Sequence, residues 1–192
     1  MSTRQHRSKL RDELILAGLE ELSQQGYQNF SVRRIASKCD VSCAAPYKHF
    51  KDKQEFIAAI ITYMKNKWSD RQTQIIEKHP ESLRNQIIEI ALEYVRFLVE
   101  YPEFRSILMQ RDSDFDEAYG SMRYSLSALS TEMVQQYCNS VSMPTEVFKR
   151  KLFVIRSLIF GAALMFDNGE MEYSPENMKI VEKSIEREFD LE

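Results

Sequence analysis

Cys43, Ala44, Ala45 and Lys48 lie along a stretch that reads as a helix of about two turns, and all four are small or cationic. Groups of that kind let a backbone come close to a polyanion without a bulky apolar side chain in the way. They sit inside FSVRRIASKCDVSCAAPYKHFKDKQEF, residues 30–56, which reads as two short helices, a tight turn between them, and a cationic helix start after them. That arrangement inserts one helix end into the major groove of duplex DNA.

The elements that must position these groups are legible around them. Ser31 caps the first helix, and Val32, Ile35, Ala36 and Cys39 recur at i, i+3, i+4 and i+7, so one face is buried. Ala36 is small where a second helix crosses. Asp40 can adopt the left-handed conformation of a sharp turn, Val41 plugs it, and Ser42 caps the second helix, Cys43 to His49. Pro46 lacks the N–H that would bond the Ser42 carbonyl, so this helix should start late or tightened. Tyr47 and Phe50 are also of a size to plug the core of a small domain. His49 has no second ligand at metal spacing, and a phosphate or helix-end contact suits it better.

In Gly26-Tyr27, Phe30-Ser31-Val32, Val41-Ser42, Tyr47-Lys48-His49-Phe50 and Asp52-Lys53, the first third of the chain resembles the N-terminal domain of TetR-type (TetR/AcrR) bacterial transcriptional regulators. Two positions depart from the family pattern: Asp40 stands where glycine is usual, at about 1 kcal/mol of strain, and Pro46 stands where an aliphatic residue is usual. The resemblance implies a homodimer on a palindromic operator, most simply a repressor released by a small-molecule effector. It implies that Arg33 reaches a guanine edge and that Ser31 and Ser42 hold phosphates. Cys43, Ala44 and Ala45 would then face bases, and Tyr47, Lys48, His49 and Lys53 would bind phosphates. Readout through such small groups would be thin and DNA shape correspondingly important. Arg4, Arg7, Lys9 and Arg11 form either an arm along the DNA or a solvated tail.

The net charge of −3 conceals an asymmetry: residues 1–53 carry ten Lys/Arg against six Asp/Glu, and residues 54–192 carry sixteen against twenty-three. The basic end is where DNA would bind. No apolar run approaches the roughly 20 residues of a bilayer span, and the first ten residues lack a secretory hydrophobic block, so a cytoplasmic protein is expected. Cys39, Cys43 and Cys138 make neither a disulfide framework nor a metal pattern. Cys39 belongs to an apolar stripe; Cys43, at a helix start near Lys48, is a candidate for oxidation that would block DNA. No catalytic constellation, cofactor motif or metal site is expected. An adaptor acting through protein contacts, and a helical enzyme, are the alternatives.

Five Gly and five Pro among 192 residues, with long apolar stripes, point to an all-α fold of about nine helices. They are expected over 8–25, 31–39, 43–49, 52–78, 82–101, 103–111, 118–139, 144–166 and 175–189. The first three make a helix-turn-helix domain, residues 1–53, and residues 54–192 an effector-binding and dimerisation domain. Aromatic and Met residues there, Trp68, Tyr94, Phe97, Tyr101, Phe104, Met122 and Phe153, can wall an apolar pocket, though such stripes also serve as plain core. The acidic run 112–117 suits a cationic ligand or a solvated loop. On the last two helices Leu152, Ile155, Ile159, Ala162, Ala163, Met178, Val181 and Ile185 form stripes that build either a four-helix dimer interface or the core of one subunit.

Overall fold

The computed structural model describes residues 3–109, 121, 122 and 125–190, and among them every regular element is helical. Helix α1 spans Thr3–Gln25 and ends at Gly26, whose φ of 71° closes the helix in the left-handed conformation. Helix α2 spans Val32–Lys38, α3 Lys53–Lys78, α4 Leu83–Glu100, α5 Pro102–Met109, α6 Ala128–Ser140, α7 Thr145–Asp167 and α8 Pro175–Asp190. Capping explains several starts. Ser31, Asp52, Ser82 and Ser174 each accept the N–H three residues on, and the Glu55 carboxylate accepts from Lys51 N–H at 2.6 Å.

The described residues fall into two compact units: those within Met1–Lys67 and Pro102–Tyr124, and those within Trp68–Tyr101 and Ser125–Glu192. The first holds the expected head of residues 1–53 together with the start of α3 and α5, which packs on α1. Its core is Leu14, Leu22, Ile35, Phe56 and Ile57, with Phe50 stacked on Phe56 at 4.1 Å and Phe30 edge-on to it at 5.5 Å. A Cβ on Gly18 would come within 2.8 Å of Ile60 Cδ1 and 3.1 Å of the Phe56 ring, so a residue without a side chain lets α1 and α3 approach.

In the second unit α4 packs against α6, α7 and α8, and α7 against α6 and α8. Lys151 of α7 is 1% exposed and its ammonium donates to the Glu188 carbonyl, while Arg84 of α4 pairs with Asp190 at 2.7 Å, so the last turn of α8 is held from two sides.

Three expectations need correction. Cys43–His49 is not an α-helix: it is a turn followed by a single 3-10 turn, Pro46–Lys48. Pro46 has no N–H to give the Ser42 carbonyl, which instead accepts from Ala45 at 2.9 Å, and the tighter pattern continues as Lys48 N–H bonds Ala45 and His49 N–H bonds Pro46. The helix expected over 118–139 is broken at Leu126, whose carbonyl accepts from Trp68 Nε1, and α6 begins two residues later; position 118 lies outside the described residues, as does the acidic run 112–117. Finally, Ile155, Ile159, Ala162, Ala163, Val181 and Ile185 are buried within one chain, with Leu152 and Met178 half-buried, so these stripes build the subunit core. The opposite face of α7, Phe153, Ser157, Gly161 and Leu164, is the open one, with Phe153 71% exposed.

Candidate nucleic-acid interface and aromatic cluster

The head presents its polar groups through two elements joined by one strained turn. Asp40, at φ 53°, takes the left-handed conformation expected of it, and Val41 N–H then bonds back to Ala36. Beyond the turn Ser42, Cys43 and Ala44 are exposed, Tyr47 is 58% exposed, and Lys48 is exposed beside it. His49 is half-buried, with its ring 6.2 Å from Phe50. Ala45 is different. It is buried under the 3-10 turn together with Pro46, and so is removed from the base-facing set.

The two arginines at the start of α2 have separate duties. Arg34 donates through Nε to Glu21 at 2.8 Å and through Nη2 to the Asn29 carbonyl. Glu21 is only 1% exposed and also accepts from Ser31 N–H at 3.3 Å, so one buried carboxylate of α1 fixes the entry of α2. Arg33 is exposed and makes no hydrogen bond or ion pair among the described residues. Sequence reasoning named Arg33 and missed the Glu21–Arg34 pair, for which the only signal was an acidic residue on the otherwise apolar face of α1. Ser31 is half-buried, its hydroxyl accepting from Arg34 N–H at 3.4 Å.

Lys53 does not project as expected. Its ammonium donates to the Tyr27 carbonyl at 3.3 Å and lies 5.4 Å from the Tyr27 ring and 5.9 Å from that of Phe30, a cation held over two aromatic faces. Its first role is to close the turn after α1. In that helix Lys9 pairs with Glu13 at 3.7 Å and the Arg11 guanidinium lies over Phe50 at 5.4 Å. The backbone there is helical from Thr3, so these residues belong to α1 and not to an extended arm.

The pocket candidates also divide. Trp68, Tyr94, Phe97 and Tyr101 come together in the second unit: Trp68 stands 4.7 Å from Tyr94 and 5.4 Å from Phe97, and Phe97 5.0 Å from Tyr101. Phe160, not foreseen, meets Tyr94 edge-on at 6.3 Å. Arg71 lies over Phe97 at 5.1 Å and pairs with Glu93 at 2.9 Å and Glu100 at 2.6 Å, a polar border on one side of the rings. Phe104 and Met122 belong to the first unit, fully and half-buried respectively. Phe153 faces outward on α7, away from any cluster wall.

Burial raises the Cys39 thiol above its ordinary pKa, with Glu13 adding to the effect, and raises that of Cys138 against the opposing charge of Lys151. Cys43 is exposed. No group of three or more His, Cys, Asp or Glu among the described residues can hold a metal ion, and no described helix is long and apolar enough to cross a membrane.

Comparison with known proteins bears on both units. Residues 14–60 match the family model of bacterial regulatory proteins, tetR family. Among solved structures, a TetR family transcription regulator from Marinobacter aquaeolei VT8 superposes with a TM-score of 0.75 at 17% identity, covering 97% of this chain and 98% of that one. FadR from Bacillus subtilis, in complex with stearoyl-CoA, gives 0.72 at 14% identity over 92% and 96%. A TetR/AcrR family regulator from Thermobifida fusca gives 0.63 at 20% over 95% and 97%. A search of curated proteins finds no match. Residues 14–60 thus match the tetR family model, and the chain as a whole shares its fold with solved structures of TetR family transcription regulators.

Proposed function

We propose that the protein acts as a homodimeric repressor that binds a palindromic operator and leaves it when a small, largely apolar effector occupies the second unit. The observation that carries this reading is the exposed set Arg33, Ser42, Cys43, Ala44, Tyr47 and Lys48 on a head in which Arg34 is held by Glu21 and Lys53 by the Tyr27 carbonyl. In this reading Arg33 reads a base edge, while Ser42, Tyr47 and Lys48 meet phosphates. Ser31, His49 and Lys53 support the edge of the same surface, and Cys43 and Ala44 pass close to the bases.

Two heads in successive major grooves require two chains, and the open face of α7 supplies the contact in place of the buried stripes. The effector reading is supported by the aromatic cluster and by a structural neighbour, FadR, whose structure contains stearoyl-CoA. Helix α3 carries Phe56 of the head core and Trp68 of the cluster, so a ligand that repacks Trp68 acts on the helix that holds the head. A coupling of about 1 to 3 kcal/mol makes a usable switch, and the operator must then weaken effector binding by the same factor.

The test is selection of duplex DNA by the purified protein, followed by titration of the selected sequence at several salt concentrations. A palindrome whose affinity falls steeply with salt supports the proposal, and Lys48→Ala should flatten the slope of log K against log salt by about 1. Binding indifferent to duplex sequence and salt would refute it.

A further inference from the structure

The segment after the strained turn is anchored at both ends and tightened in the middle. At its start Val41 N–H bonds back to the Ala36 carbonyl at 3.0 Å, and at its end Phe50 is buried, stacked on Phe56 with the Arg11 guanidinium over its ring. Between these anchors the bonds join residues three apart: Ala45 N–H to the Ser42 carbonyl at 2.9 Å, Lys48 to Ala45 at 3.1 Å and His49 to Pro46 at 2.9 Å. Pro46 is the cause, since an α-helical turn here needs an N–H at position 46 for the Ser42 carbonyl. The consequence reaches the exposed side chains. Residues three apart eclipse in a 3-10 turn, which brings exposed Tyr47 into line with exposed Ala44 and sets Lys48 about a third of a turn further round. In an α-helix each residue advances about 100° and 1.5 Å instead of about 120° and 2.0 Å. That would swing Lys48 back by about 80° and draw it about 2 Å nearer to Ala44 along the axis.

We infer that Pro46, although itself buried, is a specificity-determining residue of the DNA-binding head: by imposing the 3-10 turn it fixes which base pairs Cys43 and Ala44 approach while Tyr47 and Lys48 meet their phosphates. It is a positioning residue, and it acts through the N–H it lacks. Base pairs repeat about every 3.4 Å, so a shift of about 2 Å combined with the rotation carries a side chain from one base pair towards the next. The anchors at Val41 and Phe50 confine that change to the exposed groups between them and leave the head core in place. The inference rests on the DNA-binding reading above and adds to it the residue that sets operator choice.

Duplex DNA is selected from a random pool by the full-length parent and by Pro46→Ala and Pro46→Leu, both of which restore the N–H while one shrinks and the other enlarges the buried side chain. The two variants are expected to select the same half-site as each other, differing from the parent's in at least one base pair. They should bind the parent's operator about tenfold or more weaker, the scale of one mismatched base pair. The slope of log K against log salt should hold, because the same cations meet phosphates. One half-site selected by all three proteins and bound alike would overturn the inference, as would a folded variant that selects no sequence. So would different choices by the two variants, since packing volume and not the N–H would then decide. A parent that selects no duplex would refute the DNA-binding reading itself, and the inference with it. Should neither variant fold by circular dichroism, NMR of the parent on its selected duplex decides: a contact between Ala45 Hα and Tyr47 N–H supports a 3-10 turn on DNA, and one between Ala44 Hα and Lys48 N–H would show an α-turn there and overturn the inference.

Discussion

Adjacent arginines, Arg33 and Arg34, look equivalent in the sequence and are opposite in use. Arg34 is spent on the buried Glu21 carboxylate, which accepts from Arg34 Nε and from Ser31 N–H at the entry of α2. Glu21→Ala should therefore cost about 2 kcal/mol of head stability, the scale of hydrogen bonds to a charged group, seen as a lowered denaturant midpoint. Arg33→Ala should leave that midpoint within about 0.5 kcal/mol and lower operator affinity instead. If both variants lost stability alike, the division of labour would be wrong. The cysteines sort by the same logic of exposure: with a thiol reagent on the native protein Cys43 should react at once, Cys39 slowly, and Cys138 only on unfolding, since burial both shields the last two and raises their pKa values. The exposure of Arg33, Ser42, Cys43, Ala44, Tyr47 and Lys48 was legible because each falls off the apolar stripe of its segment. Commitments were not. Nothing in the spacing tells that Lys53 closes the turn at Tyr27, or that Ala45 lies under the 3-10 turn, because both depend on contacts between segments distant in the chain or on a backbone that tightens locally.

At the scale of elements, long helices were readable from apolar periodicity and caps, and Gly26, Ser82 and Ser174 do what their types suggest. What periodicity could not resolve was the difference between an α-helix and a shorter turn at Cys43–His49, where one missing N–H decides the hydrogen-bond pattern. The turn before it makes a graded prediction. Asp40 holds φ 53°, a conformation open to glycine, tolerated by aspartate and hostile to a β-branched side chain. Stability should then order Asp40→Gly above wild type above Asp40→Val. The gain for glycine should be roughly 0.5 kcal/mol, because relief of strain is offset by the extra freedom of the unfolded chain, and the loss for valine about 1 to 2 kcal/mol. Denaturant titration of the three proteins checks the order. Valine equal to wild type would mean that the turn relaxes to another conformation and that the left-handed residue is not what aims the 3-10 turn.

For the whole molecule, the proposed homodimer turns on which face of α7 would meet a second copy. Helical spacing shows that the helix has an apolar stripe, but it cannot tell burial inside a subunit from burial between subunits, since both remove the same side chains from water. The structure separates them. Ile155, Ile159 and Ala163 turn into the single chain, whereas Phe153 and Leu164 lie on the opposite face with Gly161, where an added Cβ would meet nothing within 4 Å of the same chain. Truncating the inner face should act on folding: Ile159→Ala should cost about 2 to 4 kcal/mol, the range for an aliphatic core deletion. Charging the outer face should act on assembly. Phe153→Glu with Leu164→Glu leaves the subunit core untouched, so helicity and unfolding midpoint at low protein concentration should hold while sedimentation shows a monomer. A monomer reaches only one half-site, and without the high effective concentration of a tethered second head, operator affinity should fall by about a hundredfold or more. The same double variant should bind an isolated half-site as the parent does, because its DNA-facing residues are unchanged. A variant that stays dimeric in sedimentation would place the joint between copies on some other surface.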